Sequence, residues 1–218
     1  MSKIVVLMGA PGAGKGTQAR LLQERLGLPQ ISTGDMFRAL KEEHTLLADE
    51  VRAIMQAGQL VPDDVTLRVV RERTSREDCQ HGYILDGFPR NPAQAAMLEK
   101  LAVEQGKTIQ AILIDVPLEL LEKRMTGRRN CPVCNEIYNI YFKPPKNDNV
   151  CDLHPEVQLN HRADDNPETV QARLKTFEEQ TQPLIEYYQS ANLLHRVDGT
   201  RDPEEIYKDI EKIVTSDQ

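Results

Sequence analysis

The stretch KIVVLMGAPGAGKGT, Lys3 to Thr17, constrains this fold more than any other part of the chain. Ile4 to Met8 is a short apolar run rich in β-branched residues, the pattern of a strand buried on both faces. Strands of that kind belong to parallel sheets covered by helices. A glycine-rich turn follows at once, and a helical pattern then runs from Lys15 to Leu26. Gly9, Gly14, Lys15 and Gly16 fit G-x-x-x-x-G-K-[ST] except at the last position, where the hydroxyl comes one residue later, on Thr17. Between a buried strand and a helix, such glycines let backbone N–H groups turn inward around phosphate oxygens. The helix N-terminus adds positive partial charge, and Lys15 adds a mobile cation. The competing reading is a glycine-rich strand–helix turn without a ligand.

The buried-strand pattern recurs in GYILDG (Gly82–Gly87) and QAILIDV (Gln110–Val116), and more weakly in LPQIS (Leu28–Ser32) and LLHRVDG (Leu193–Gly199). Helical patterns lie between them. In NPAQAAMLEKLAVEQG, Asn91 reads as an N-cap, Pro92 as the first helical residue and Gly106 as the stop. TVQARLKTFEEQTQPLIEYYQ reads as a long amphipathic helix that Pro183 is expected to kink or break. The alternation predicts an α/β fold of the P-loop NTPase type: a parallel five-stranded sheet flanked by helices. Two stretches depart from the rhythm. Residues 32–61 read as helices with no strand between them, and residues 128–163 hold three cysteines, a Pro-Pro pair and several turn residues. Both are expected to be inserts at the ligand-binding edge of the sheet, leaving 1–31, 62–127 and 164–218 as the core.

Composition narrows the function classes. The 218 residues carry a net charge of −7. That is the wrong sign for a general nucleic-acid coat, whose binding rests on neutralising many phosphates. No apolar run approaches the ~18 residues of a membrane span, and Ile4–Met8 is too short for a signal-peptide core. A cytoplasmic location with no membrane or nucleic-acid partner is expected. The four cysteines do not suggest a disulfide framework, because three of them cluster between residues 131 and 151. Cys79 reads as an inert thiol.

Charged residues collect at element ends. Asp86 closes the GYILDG strand, where a carboxylate can assist a Mg²⁺ ion or simply cap the turn. Arg90 follows on the same edge. Arg38, Arg124, Arg128, Arg129, Arg162 and Arg173 stand at other element ends. Singly, each reads as structural; beside a phosphate loop, together, they suggest a site holding more phosphate than one nucleotide carries.

GAPGAGKGT, ISTGDMFR, GYILDGFPRN, GRR, HRADDNPETVQAR and VDGT, in that order and spacing, resemble the nucleoside-monophosphate kinases, and among them the long-lid adenylate kinases. The resemblance runs from about Lys3 into the last helix. It implies ATP + AMP ⇌ 2 ADP with Mg²⁺, in a monomer. It also implies that Gly12, Ala13, Gly14, Lys15, Gly16 and Thr17 hold ATP phosphates. Arg128 would reach ATP, Ile137 and Tyr138 would lie along it, and Arg201 would sit near its base. Thr33, Arg38, Gly87, Phe88, Pro89, Arg90 and Gln94 look like AMP contacts, with Gln59, Leu60 and Val61 bordering the adenine. Lys15, Arg90, Arg124, Arg128, Arg162 and Arg173 would gather around the transferring phosphoryl group, Arg162 and Arg173 also touching AMP. Residues 32–61 look like the AMP-binding insert and 128–163 like the lid. Asn91 departs from the Thr common in adenylate kinases and leaves a UMP, CMP or GMP kinase as the alternative. A nucleic-acid-binding NTPase with a zinc knuckle is the remote one.

The chemistry suits this reading. A phosphate oxygen is largely ionised at neutral pH and needs no general base. The barrier is the charge of two polyanions, so positioned cations and exclusion of water carry the catalysis.

Cys131 and Cys134 form C-x2-C, and Cys151 and His154 form C-x2-H. A Cys3His set is a closed tetrahedral Zn²⁺ site with no open position for water, so its expected role is structural. Asp152 and His161 are rival fourth ligands, less well placed. An insert of ~36 residues lies below the size at which a core suffices, and a metal would supply the missing folding free energy.

Overall fold

A computed structural model of the chain describes residues 2–40, 45–56, 61–162 and 165–216. Five parallel strands form the sheet: β1 (Lys3–Met8), β2 (Gln30–Ser32), β3 (Gly82–Asp86), β4 (Thr108–Asp115) and β7 (Leu194–Asp198), in the order β2-β3-β1-β4-β7. All five strands anticipated from the sequence are present. A separate antiparallel ribbon joins β5 (Arg128–Asn130) to β6 (Ile137–Asn139).

The apolar run of β1 is explained by its central place, because each face of the strand meets a different core. Val5 and Leu7 join Ile84, Ile112 and Ile114 in one cluster. Helices α1 (Lys15–Leu26), α6 (Leu118–Thr126) and α8 (Pro203–Thr215) cover it with Leu22, Leu121, Met125, Ile206 and Ile210. Ile4, Val6 and Met8 face the other way, onto Leu98 and Leu101 of α5 (Pro92–Glu104) and Val70 of α4 (Asp63–Thr74). Side chains that alternate between two dry layers must all be apolar.

Helix α7 (Pro167–Ser190) corrects one expectation, since Pro183 does not break it. Val170 and Leu174 are buried in the first core, whereas Leu184, Ile185 and Tyr188 are buried in the second, with Phe177 packed against both. Apolar anchors on either side of the proline outweigh the one backbone hydrogen bond it removes. Asn91 caps α5 as expected, its side chain accepting the Gln94 N–H, with Pro92 in the first turn. Helices α2 (Thr33–Leu40) and α3 (Leu46–Gln56) fill the stretch after β2. They pack on α4 through a small cluster of Ala48, Val51, Val65 and Val69. No helix among the described residues is long and apolar enough to cross a membrane.

Candidate active site and metal cluster

The register of the sheet brings Met8, Ser32, Asp86, Asp115 and Asp198 to one edge. The glycine loop leaves β1 there. Gly12 adopts φ +85°, and a Cβ on it would meet Met125 Cγ at 2.9 Å and Leu121 O at 3.2 Å. The loop therefore needs glycine both for its left-handed turn and for its contact with α6. Gly14 stands at the N-cap of α1, which has no side-chain cap and no acidic residue in its first turn. That leaves a helix N-terminus suited to an anion. Lys15 Nζ folds over the loop and donates to the carbonyls of Gly9 at 2.9 Å and Ala10 at 3.2 Å.

Charges converge on this loop. Desolvation of the ammonium by burial lowers the Lys15 pKa from its ordinary value. Asp86 opposes the shift, while Arg128, Arg90 and Arg173 add to it. The Arg90 guanidinium is likewise held below its usual value, by desolvation first and then by Arg173, against the pull of Asp86. Arg90 is exposed by area, but other groups surround its head inside the open cleft. Lys15, Arg90, Arg128, Arg173 and Asp86, from the loop, β3, its following turn, β5 and α7, thus share one electrostatic neighbourhood. A polyanionic ligand would relieve the positive charge that Asp86 and the arginine-paired Asp165 leave over.

Asp165 was not singled out from the sequence, where it stands among several acids. It is 0% exposed and holds two of these arginines. Arg128 Nε and Nη2 donate to its two oxygens at 2.8 and 2.6 Å, and Arg173 Nη1 donates at 3.2 Å. Asp165→Asn would leave both guanidinium groups with half an acceptor. Because the arginines keep some solvent, a loss of about 2 kcal/mol in unfolding free energy is expected, below the range for fully buried pairs. Urea denaturation of the variant measures it.

Other expected site residues have partners of their own. Burial lowers the Arg124 pKa, and its partner charge is Asp198. Arg201 Nη2 donates to Asp209 at 2.5 Å, and Arg201 Nε lies 3.8 Å from Asp198 Oδ2. Thr33 is buried, and its hydroxyl donates to Gly87 O at 3.0 Å. Gly87, at φ +84°, leaves no room for a Cβ, which would approach Thr33 Oγ1 to 2.9 Å. The Phe88 ring is 1% exposed and belongs to the second core, so of this residue only the backbone can face a ligand. Arg90 Nε donates to Gly87 O at 2.9 Å. Val61 packs beside α4 in the small third cluster. Arg162 precedes Asp165, whose N–H donates to the Arg162 carbonyl at 3.1 Å. Gln59, Leu60 and the Arg38 side chain lie outside the described residues.

Arg128, Ile137 and Tyr138 all belong to the β5–β6 ribbon, with Arg128 opposite Asn139. The Tyr138 ring turns inward rather than outward. It is 3% exposed, and its hydroxyl sits 3.6 Å from Cys151 Sγ while accepting the Asp152 N–H at 2.9 Å. A further link is absent from the motif reading. Arg20 of α1 donates to Glu136 Oε2 at 2.7 Å, and Lys143 donates to Oε1 at 2.5 Å, tying the ribbon region to the core.

Cys131, Cys134, Cys151 and His154 come together with all ligand atoms within 4.8 Å of one another. Cys134 Sγ lies 3.8 Å from Cys151 Sγ, and His154 Nδ1 lies 3.9 and 3.7 Å from Cys131 and Cys151 Sγ. These separations are too long for a disulfide. They match the edge of about 3.8 Å in a tetrahedron built on Zn–S bonds of ~2.3 Å. The two rivals are elsewhere. Asp152 Oδ1 accepts the Lys146 N–H at 2.8 Å, and His161 lines a separate groove with Arg129 and Asp148. Burial alone would raise the Cys151 thiol, but hydrogen bonds from Tyr138 and His154 bring it down to about 6, favouring the thiolate a metal needs. Cys79 is buried apart from the cluster, and desolvation pushes its thiol up to about 11.

Comparisons with known proteins agree with this geometry. A family model described as adenylate kinase matches residues 7–193. The chain is 48% identical over 215 residues to an adenylate kinase of Clostridium perfringens SM101, covering 98% of this chain and 99% of the relative. It is 47% identical over 210 residues to the adenylate kinase of Nitrosococcus oceani, covering 96% and 97%. With the adenylate kinase of Bacillus subtilis strain 168 it shares 46% identity over 211 residues, again covering 96% and 97%. The phosphate loop, the arginines around it and these alignments lead to one conclusion: the chain belongs to the adenylate kinase family.

Proposed function

We propose that the cleft at the sheet edge holds ATP on the glycine loop and AMP beside β3, with the cations between them receiving the transferring phosphoryl group. The reaction of the family is ATP:AMP phosphoryl transfer giving two ADP, with ATP as its Mg²⁺ complex. The observation that most supports this assignment of parts is the mutual influence of Lys15, Asp86, Arg90, Arg128 and Arg173. Gly12–Thr17 cradle the ATP phosphates, and Lys15 follows the moving group. Arg128 and the backbone of Ile137 and Tyr138 contact ATP, and Arg201 lies toward its base. Thr33, Arg38, the 59–61 stretch, Gly87–Arg90 and Gln94 surround AMP. Arg124, Arg162 and Arg173 complete the positive ring. Asp86 suits a Mg²⁺ ion held partly through water, which when bound neutralises phosphate charge.

Residues 32–61 and 128–163 act as the AMP-binding insert and the lid, closing to exclude water. The Cys3His cluster holds a structural Zn²⁺ in that lid, where a closed ligand set leaves no place for substrate. Every part of the proposed site comes from a single chain, so a monomer suffices. Three clustered free thiols suit a reducing compartment such as the cytoplasm, and a net charge of −7 argues against nucleic-acid partners. A coupled assay with Mg-ATP and each of AMP, GMP, CMP and UMP tests the reading. AMP is expected to give the highest kcat/KM by at least about tenfold. Faster turnover of CMP or UMP would overturn AMP as the acceptor.

A further inference from the structure

The Gln94 amide is held at both ends. Its Oε1 accepts the backbone N–H of Arg90 at 2.8 Å, and its Nε2 donates to Asp63 Oδ1 at 2.7 Å. Neither partner can exchange roles, because a backbone N–H only donates and a carboxylate only accepts. Turning the amide over would set NH₂ against N–H and oxygen against carboxylate oxygen. The orientation of this side chain therefore follows from its partners rather than from the appearance of the group. Asn91 reinforces the arrangement: its Oδ1 accepts the Gln94 N–H at 2.8 Å, and its Nδ2 donates to Asp63 Oδ2 at 3.4 Å. Asp63 is not the cap of α4, whose N-cap is Pro62. Its two oxygens instead serve the first turn of α5.

Among the described residues, Oε1 takes no second donor and Nε2 gives no second proton. Gln94 thus keeps one acceptor site next to one donor site, in fixed order. An amino base presents the complementary order. Adenine offers N6–H beside N1, and cytosine offers N4–H beside N3. The keto bases hypoxanthine, guanine and uracil offer C=O beside N–H, which only the reversed amide would match. We infer that Asp63, by fixing the Gln94 amide against the Arg90 N–H, makes the acceptor site select amino bases over keto bases. Asp63 is a positioning residue in this scheme. The inference rests on the reading that Gln94 faces the AMP base. Cytosine shares the adenine pattern, so the amide excludes IMP, GMP and UMP, while rejection of CMP falls to the size of the site.

The test compares AMP with IMP, whose bases differ chiefly in this edge, using the full-length protein and saturating Mg-ATP. Asp63→Asn keeps the shape but can either donate or accept, which removes one of the two partners that fix the amide and leaves the Arg90 N–H alone to hold it. The AMP-to-IMP ratio of kcat/KM is expected to fall by at least about tenfold, with the KM for ATP unchanged. Gln94→Ala is run in parallel. If Gln94→Ala collapses the ratio and Asp63→Asn leaves it intact, the role of Asp63 is overturned while base contact by Gln94 stands. If Gln94→Ala also leaves it intact, the reading that Gln94 faces the base fails. A parallel loss with AMP and IMP in Asp63→Asn would mean that Asp63 only supports the fold, and would overturn the proposal. Should a thermal melt show that Asp63→Asn does not fold, Asp63→Ser carries the same comparison.

Discussion

Lys15→Ala is expected to lower kcat by about 10²–10³-fold while leaving the fold in place, the range typical for removing one preorganised charge-stabilising group. The residue is central to the charge cluster. Its ammonium responds to Asp86, Arg128, Arg90 and Arg173 together, so it lies among groups contributed by four separate parts of the fold. Without a ligand the ammonium is satisfied by the carbonyls of Gly9 and Ala10, at 2.9 and 3.2 Å. Those contacts keep it over the loop until a phosphate takes their place. The arginines reach the site from other elements and are anchored there, so none takes the place of Lys15 over the loop. Arg128 and Arg173 are already committed to Asp165, and Arg90 to the Gly87 carbonyl. Steady-state rates with saturating ATP and AMP measure the effect, and circular dichroism with a thermal melt checks the fold. A variant that folds and keeps kcat within about tenfold of the parent would remove Lys15 from its assigned role.

How much of this was legible in the sequence follows from what each feature depends on. The strands were legible because burial on both faces removes polar residues from a whole run, as in Ile4–Met8. The glycine loop was legible because its backbone needs glycine at named positions, and Gly12 meets both the φ and the contact requirement. The cysteine cluster was legible because metal ligands keep short local spacings, and the choice of His154 over Asp152 and His161 agrees with the donors brought together. Asp165 was not legible. It reads as one acid among many in HRADDNPE, and only the tertiary fold makes it a fully buried carboxylate holding two arginines. Asp63 was hidden for a similar reason, since its partners Asn91 and Gln94 lie 28 and 31 residues away. The pair Arg20–Glu136 joins positions 116 apart that carry no motif. Of the kink or break expected at Pro183, the break does not occur, because local propensity cannot weigh anchors contributed by two different cores.

If the Cys3His cluster holds zinc in a lid as proposed, treatment with a chelator, or replacing Cys134 by serine, is expected to unfold residues 128–162 while the parallel sheet persists. The reason is what the lid is made of. Its buried cluster consists of Cys131, Tyr138, Cys151 and Leu159, with Cys134 and Val157 packed against it. Several apolar residues large enough to build an ordinary core point outward instead: Val133 is 59% exposed, Tyr141 58%, Phe142 53% and Leu153 66%. Without the ion, three sulfurs and an imidazole nitrogen crowd together with nothing to bind them, and the Tyr138 hydroxyl loses the thiolate it faces. Structural zinc contributes ~10–16 kcal/mol to small zinc-finger peptides, far more than this cluster can recover by packing. A loss of even ~3 kcal/mol would lower a midpoint by roughly 6–12 °C in a chain of this size. Because the ligands lie in one segment, the loss should appear as a separate early transition, with protease cleavage confined to residues 128–162. Arg128 and β6 sit in the same ribbon, so on the proposed assignment of ATP contacts phosphoryl transfer should fall with it. Metal analysis of the untreated protein should give about one equivalent, as a single closed site requires. A metal-free protein with the original melting curve and protease pattern would mean that Tyr138, Leu159 and the backbone hold the lid without the ion.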